Sequence, residues 1–283
     1  MKTIDTLVPD IMDVIKGNGG WNETISAYLG EEISKVAHSR FSEIHQPRKH
    51  LGLSSIGTPC KRKLWYKINE SDKAEPLSAE ALGTFFYGDL LEALVIALAK
   101  AAGHDVQGEQ DELFVHGIRG HRDCVIDGVT VDVKSASKYG FQKFADHNLR
   151  DDDPFGYISQ LSSYVYAGKD DPLVRDKNRG AFLVVQKDRF KLCLDVYDFT
   201  DELKLKEKEI EDTKAMVAGP IPEDRIPPVP QSKTSPNTML SVGCSYCEFR
   251  KHCWPKARTF IYSTGLTHLV DVINEPKVTE LIE

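Results

Sequence analysis

The chain has 283 residues, 41% of them hydrophobic and 28% charged, enough at ~150 residues per domain for two domains or one large domain with additions. Its 20 glycines and 14 prolines exclude a collagen-like or wholly disordered chain. The formal net charge of −7 excludes a basic protein that only coats nucleic acid. An enzyme with a local basic groove remains compatible, because metal-binding carboxylates subtract from the total.

Residues 1–50 read as an amphipathic helical region. They lack a basic segment followed by an apolar one, so no signal peptide is expected. Residues 51–218 carry the main alternation of elements. A helix is expected over Pro59–Ile68, and another over Ser78–Ala102, where Leu90, Leu91, Leu94, Val95 and Leu98 follow the 3.6-residue period. The apolar run from Leu90 to Ala102 is broken by Glu92 and Lys100 and falls short of the ~18 residues of a membrane helix. A cytoplasmic protein without a membrane partner is therefore expected. From Glu112 the period changes, and Leu113–Ile118, Arg122–Ile126 and Thr130–Ser135 read as strands, separated by Gly117–Gly120 and by the turn signal Asp127-Gly128. A helix over Pro154–Ala167, strands over Ala181–Gln186 and Phe190–Phe199, and a charged helix over Asp201–Val217 follow. Residues 219–237, rich in proline, read as an extended linker. Residues 238–260 hold a cysteine cluster, and residues 261–283 form a tail, helical at its end. The order predicts an α/β core with helical additions.

The stretch Gly120-His121-Arg122-Asp123, then Val131-Asp132-Val133-Lys134, carries the most chemistry. Pairing across Asp127-Gly128 brings Asp123 and Asp132 close, and two neighbouring carboxylates repel unless a cation lies between them. Oxygen ligands suit Mg²⁺ or Mn²⁺. Strand alternation puts Asp132 and Lys134 on one face, where a metal-bound carboxylate beside an ammonium can activate water next to a phosphate. Alone, Asp-Val-Lys is a common tripeptide, and its ordinary meaning is a solvated strand face. Two further features add weight. Asp89 and Glu92 share one face of an apolar helix, and Gln160 and Tyr164 lie one turn apart on a later helix.

The ordered set of helix acid, Gly-x-x-Asp, Asp-x-Lys and Gln-x-x-x-Tyr resembles the PD-(D/E)XK nuclease superfamily, in its RecB-like exonuclease branch. The resemblance covers about Ser54–Phe199 together with the cysteine cluster. It implies a restriction-endonuclease-like core, a central mixed β-sheet flanked by helices. It also implies roles: Glu92, Asp123, Asp132 and the Val133 carbonyl as Mg²⁺ or Mn²⁺ ligands, Lys134 orienting or activating water, and Gln160 and Tyr164 contacting DNA or positioning the active-site strand. That branch usually has a metal-binding His in the early helix. Here Tyr87 or Asp89 stands near that place, and Glu92 is the preferred ligand. His121 reads as a hydrogen-bonding residue.

Cys244 and Cys247 with Cys253 form a C-x₂-C-x₅-C run that argues for a metal, with Cys60 the candidate fourth ligand. Cys124 and Cys193 fall inside strand patterns and read as core residues. Spacing leaves zinc and an iron–sulfur cluster both open. One distant Cys before the core and three clustered after it is similar to the iron–sulfur members of the RecB-like group, which include CRISPR-associated exonucleases and the AddB nuclease domain, with phage-encoded and CRISPR-linked members of comparable size. That similarity implies a [4Fe–4S] cluster, expected to be structural because it clips together distant parts of the chain.

Lys61, Arg62 and Lys63, with Trp65 and Tyr66, offer phosphate and base contacts, extended by Arg122, Arg48-Lys49-His50, Arg250-Lys251-His252 and Trp254. Three charges in a row ordinarily mean a solvated face. The resemblance implies a metal-dependent DNA exonuclease acting on single- or double-stranded ends in recombination, repair or replication, alongside proteins of those processes. The alternatives are a structure- or site-specific endonuclease on the same core and a catalytically decayed DNA-binding subunit with a Cys₄ metal site.

Overall fold

The computed structural model describes residues 2–42 and 49–282. In chain order the helices are α1 (Leu7–Ile15), α2 (Glu23–Ser42), α3 (Lys61–Asn69), α4 (Ala79–Ala101), α5 (Lys138–Ala145), α6 (Tyr157–Ala167), α7 (Thr200–Ala218), α8 (Val242–Ser245) and α9 (Arg250–Cys253). The strands are β1 (Val106–Gln107), β2 (Glu112–Val115), β3 (Ile118–His121), β4 (Cys124–Ile126), β5 (Val129–Ala136), β6 (Arg179–Gln186), β7 (Lys191–Asp198), β8 (Val229–Pro230), β9 (Thr238–Met239), β10 (Arg258–Tyr262), β11 (Gly265–Asp271) and β12 (Glu280–Leu281). The chain divides into two compact units. The first takes α1 and α2, residues 51–57 and residues 78–212; the second takes residues 58–77 and 213–283. Residues 58–77, grouped by sequence with 51–218, thus belong with the cysteine segment.

The first unit is a mixed sheet between two layers of helices. Its order is β1-β4-β5-β6-β7, with β5 and β6 parallel and the other pairs antiparallel. A parallel pair needs a long crossover, and α5 and α6 supply it. Leu7 and Ile11 of α1 and Leu91, Val95 and Leu98 of α4 bury one face of the sheet, against Cys124, Val131, Val133, Leu183 and Val185. Phe141 and Phe144 of α5 and Leu161 and Val165 of α6 bury the other, against Phe182 and Val184. Gly180 permits this second contact, since a Cβ there would lie 2.9 Å from Leu161 and Val165 side-chain carbons. The face switch from Val131 to Asp132 to Val133 is the alternation expected of β5.

Helix α4 forms as its sequence directs. The Ser78 hydroxyl accepts from Ala81 N at 3.2 Å. At the other end Gly103 takes φ 80°, while Gly103 N and His104 N donate to Lys100 O and Ala99 O in a Schellman closure. It is the one described helix long and apolar enough to cross a membrane by length and composition. Here Leu91, Val95, Ile96 and Leu98 are core residues.

Three expectations change. Leu113–Ile118 is not one strand: His116 and Gly117 take φ 49° and 76° and turn the chain between β2 and β3. Two successive positive-φ residues suit a two-residue hairpin, the geometry also adopted by Asp127 and Gly128 at φ 52° and 82°. Helix α5 was not expected; the Ser137 hydroxyl caps it, accepting from Gly140 N at 3.3 Å. The tail is not helical. It supplies β10, β11 and β12 to the second unit's antiparallel sheet, of order β12-β10-β11-β9-β8. The alternating Thr259, Phe260 and Ile261 with Leu266 to Leu269 make the central hairpin of that sheet. Asn237, in the expected linker, is buried there; its amide donates to Asn274 O and its carbonyl accepts from Ile273 N and Asn274 N.

Candidate active site and cysteine centre

The site of the first unit lies where β4 stops and β5 runs on. The β4–β5 ladder ends at the pair Cys124–Val131. Beyond it the Asp123 carboxylate replaces the missing strand and accepts from Val133 N at 2.7 Å. Helix α4 passes the same edge: a Cβ on Gly88 would lie 3.1 Å from Ser135 Oγ, so the glycine allows a close approach of helix to strand. One turn later on α4, Glu92 comes within electrostatic reach of Asp132 and Asp123.

Four of the expected residues meet here as side chains of three segments. Lys134 Nζ lies 2.5 Å from Asp132 Oδ2, an ion pair on the shared face of β5. Burial, then repulsion from Asp132 and Asp89, pushes the Glu92 carboxyl up to about 7. Burial, then Asp132 and Glu92, raises Asp123 well above the ordinary aspartate range. Burial pulls the Lys134 ammonium down, but Asp132 and Asp123 together outweigh it and hold its pKa above the usual lysine value. Gln160 Nε2 donates to Asp132 Oδ1 at 3.4 Å. Tyr164 is buried one turn further on, its hydroxyl pushed up to about 12 by burial and the Asp132 charge.

The other candidates go elsewhere. Asp89 pairs with Arg40 at 2.5 Å, and the Tyr87 hydroxyl donates to Lys187 O at 3.0 Å, which leaves Glu92 as the α4 acid of the site. His121 is exposed and lies opposite Glu112 across the β2–β3 hairpin. Two contributors were missed. Gln110 Nε2 donates to Glu92 Oε1 at 2.9 Å, and the Lys134 ammonium sits 5.0 Å from the centre of the Tyr157 ring. Neither has a sequence signal: Gln110 lies in an irregular turn, and Tyr157 is simply the first residue of α6.

Among the described residues no three His, Cys, Asp or Glu side chains close into a metal cage. In kind, the donor set still fits an oxygen-preferring divalent cation. Three mutually repelling, poorly solvated carboxylates face one ammonium, and a cation between them removes the repulsion. The Asp132 Oδ2 atom is buried and, although near Lys134, makes no hydrogen bond of good geometry.

The second unit brings the four cysteines into one neighbourhood. Cys60 caps α3, its sulfur accepting from Lys63 N at 3.4 Å. Burial raises the Cys244 thiol; Cys60 and Cys253 add to the rise, while Ser241 and the Trp254 indole favour its thiolate. Burial likewise pushes Cys247 up to about 12, opposed by the Phe249 backbone and the Lys63 charge. The buried Trp254 N–H lies beside Cys244 but makes no hydrogen bond of good geometry. Four sulfurs ringed by N–H donors and an ammonium suit a metal or cluster that binds thiolates. Cys124 is fully buried and Cys193 partly buried in the sheet, as core residues.

The expected DNA surface is largely spent inside the protein. Arg122 is 1% exposed and pairs with Asp111 at 2.8 Å and Asp171 at 2.6 Å; it ties loops to the core and presents no charge to a phosphate. Arg62 donates to Pro222 O at 2.5 Å, and Lys63 pairs with Glu248 at 3.1 Å. Tyr66 is buried and stacked on Phe249 at 5.4 Å, and Trp65 Nε1 donates to Gly219 O at 2.9 Å. Lys61 alone of this group is exposed. Arg250 contacts Glu75 and His268, and Arg48 lies outside the described residues.

No family profile and no curated protein matches the sequence. Among solved structures the chain is similar to one described as "Crystal structure of SSO0001", with 13% identity and a TM-score of 0.37, over 80% of this chain and 94% of that one.

Proposed function

We propose that the chain is a metal-dependent deoxyribonuclease acting on DNA ends, with its first unit a restriction-endonuclease-like core of the PD-(D/E)XK superfamily. The observation that carries the reading is the convergence of Glu92, Asp123, Asp132 and Lys134 at the open edge of β5, with the Lys134–Asp132 ion pair at 2.5 Å. A Mg²⁺ or Mn²⁺ ion would be held by Glu92, Asp123, Asp132 and the Val133 carbonyl, and would supply Lewis acidity at the scissile phosphate. Lys134 brings a positive charge to the same place and is held in line by Asp132 and the Tyr157 ring. Gln160 steadies Asp132 from the other side. The cysteine centre of the second unit takes a [4Fe–4S] cluster in this reading, with zinc the other metal that its thiolates suit.

The test incubates anaerobically purified protein with end-labelled linear DNA and with closed circles, in Mg²⁺, Mn²⁺ or EDTA, beside Lys134→Ala. Metal-dependent loss of linear DNA that the variant abolishes is the expected result. Cutting of circles would move the reading to an endonuclease. Failure to cut either substrate, in protein carrying its full metal at the cysteines, would overturn the enzyme reading in favour of a DNA-binding subunit.

A further inference from the structure

Residues 108–111, between β1 and β2, are built as a clamp. Gly108 takes φ 59° and Gln110 φ 56°, a left-handed backbone that a residue with a side chain keeps only where its surroundings hold it. Arg122 holds it from below, donating through Nε to Gly108 O at 3.2 Å and through Nη2 to Asp111 Oδ2 at 2.8 Å. The guanidinium packs so closely under Gly108 that a Cβ there would lie 2.3 Å from Nη2. Glu109 accepts from Lys100 Nζ of α4 at 2.6 Å and, on its other oxygen, from the Tyr28 hydroxyl of α2. Gln110 N donates to Asp123 O at 3.1 Å.

All of this aims one amide. Gln110 is exposed, yet its Nε2 donates to Glu92 Oε1 at 2.9 Å. The same residue thus carries its main chain on Asp123 and its side chain on Glu92, two of the three acids of the site. A glutamine beside a glutamate on a surface needs no purpose by itself. Here a left-handed backbone, a buried arginine and an ion pair fix its position. The consequence is for coordination. With Oε1 engaged and its carboxylate held at a fixed angle, Glu92 offers Oε2 to an ion. Ca²⁺ takes roughly six to eight oxygens in flexible geometry and often both oxygens of one carboxylate, whereas Mg²⁺ demands a tight octahedron and keeps much of its water. Ligand number and ligand flexibility therefore decide between the two ions.

We propose that Gln110 is a positioning residue that makes this site select Mg²⁺ over Ca²⁺, by engaging one oxygen of Glu92 and fixing the direction of the other. The proposal rests on the nuclease reading for the presence of a cation between the acids, but ion binding can be measured apart from cleavage.

The experiment measures ion binding without DNA, in full-length protein that carries its metal at the cysteines. Bound Mn²⁺ is read from the loss of the free ion's electron paramagnetic resonance signal, and Mg²⁺ and Ca²⁺ from their displacement of it. Two variants remove the donor in opposite ways: Gln110→Leu keeps the bulk, and Gln110→Gly suits the left-handed backbone. In both, Mg²⁺ affinity is expected to fall about tenfold, as when a ligand loses the group that orients it, while Ca²⁺ affinity holds within about twofold. A merely structural role would separate the two variants in melting temperature and weaken both ions together. Equal loss of Mg²⁺ and Ca²⁺, or no change in either, would overturn the selection and leave the nuclease reading standing. A parent protein that binds no Mn²⁺ would overturn both. A shifted ion preference in protein that cleaves no DNA would keep the role of Gln110 and sink the nuclease reading.

Discussion

Replacing Glu92 by Gln is expected to stabilise the protein while removing the proposed nuclease activity. In the protein without a bound divalent cation, burial and the Asp132 and Asp89 charges raise the Glu92 carboxyl from 4.5 to about 7. The folded protein therefore keeps a proton that the unfolded chain releases. Stability is full below pH ~4.5 and falls as pH rises towards 7. At about 1.4 kcal/mol per pH unit the loss reaches about 3 kcal/mol above pH 7. Part of it is shared with Asp123 and Asp132, whose charges act on the same proton. Gln cannot ionise and keeps an acceptor for Gln110. Urea unfolding without added Mg²⁺ or Mn²⁺ should show Glu92→Gln about 2–3 kcal/mol more stable than the parent at pH 8 and indistinguishable from it at pH 4. Adding the metal should stabilise the parent more than the variant, since binding only to the folded state adds RT ln(1 + [L]/Kd). Coincident curves at pH 8 would refute the claim that Glu92 is held against repulsion in this site.

Three further outcomes follow from the same geometry. Cys253→Ala should lower bound iron and the melting temperature together, read by the visible absorbance of the purified protein and by thermal unfolding; full iron and an unchanged Tm would remove the residue from the centre. Arg122→Ala removes a buried side chain and its ion pairs to the more exposed Asp111 and Asp171, and should cost about 1.5–3 kcal/mol in urea unfolding, with no change in the salt slope of DNA binding. Arg62→Ala with Lys63→Ala should destabilise the second unit by loss of the contacts to Pro222 and Glu248, and a fall in DNA affinity at unchanged Tm would instead return these residues to a DNA surface.

What was legible in the sequence was local. The Asp127-Gly128 turn sets the register that places Asp123 next to Asp132, because a two-residue hairpin leaves one pairing open. Alternation puts Asp132 and Lys134 on one face, and the 3.6-residue period of α4 predicts its buried stripe. Cys60 and the C-x₂-C-x₅-C run were legible as one candidate group because cysteines are sparse, and the fold brings Cys60 within electrostatic reach of Cys244 and Cys247. The same local rules failed where two signals overlapped. In Leu113–Ile118 the apolar run put the break after the strand, at Gly117–Gly120, when the turn is at His116-Gly117, and the tail's apolar residues fit either a helix or a hairpin until β9 was present to pair with it.

The tertiary structure alone decided which charges are spent and which are offered. From sequence, Glu92 is the preferred α4 ligand, but nothing local excludes Tyr87 or Asp89. Arg40 takes Asp89, the Lys187 carbonyl takes Tyr87, and only Glu92 is left facing Asp132. Arg122, Arg62 and Lys63 read as basic surface because the groups that neutralise them are distant in sequence. Their partners Asp111, Asp171, Pro222 and Glu248 are brought in by the fold. Charge pairing acts through space over a few ångströms, whereas strand and helix periods act along the chain. The periods could therefore be read in advance, and the pairings could not.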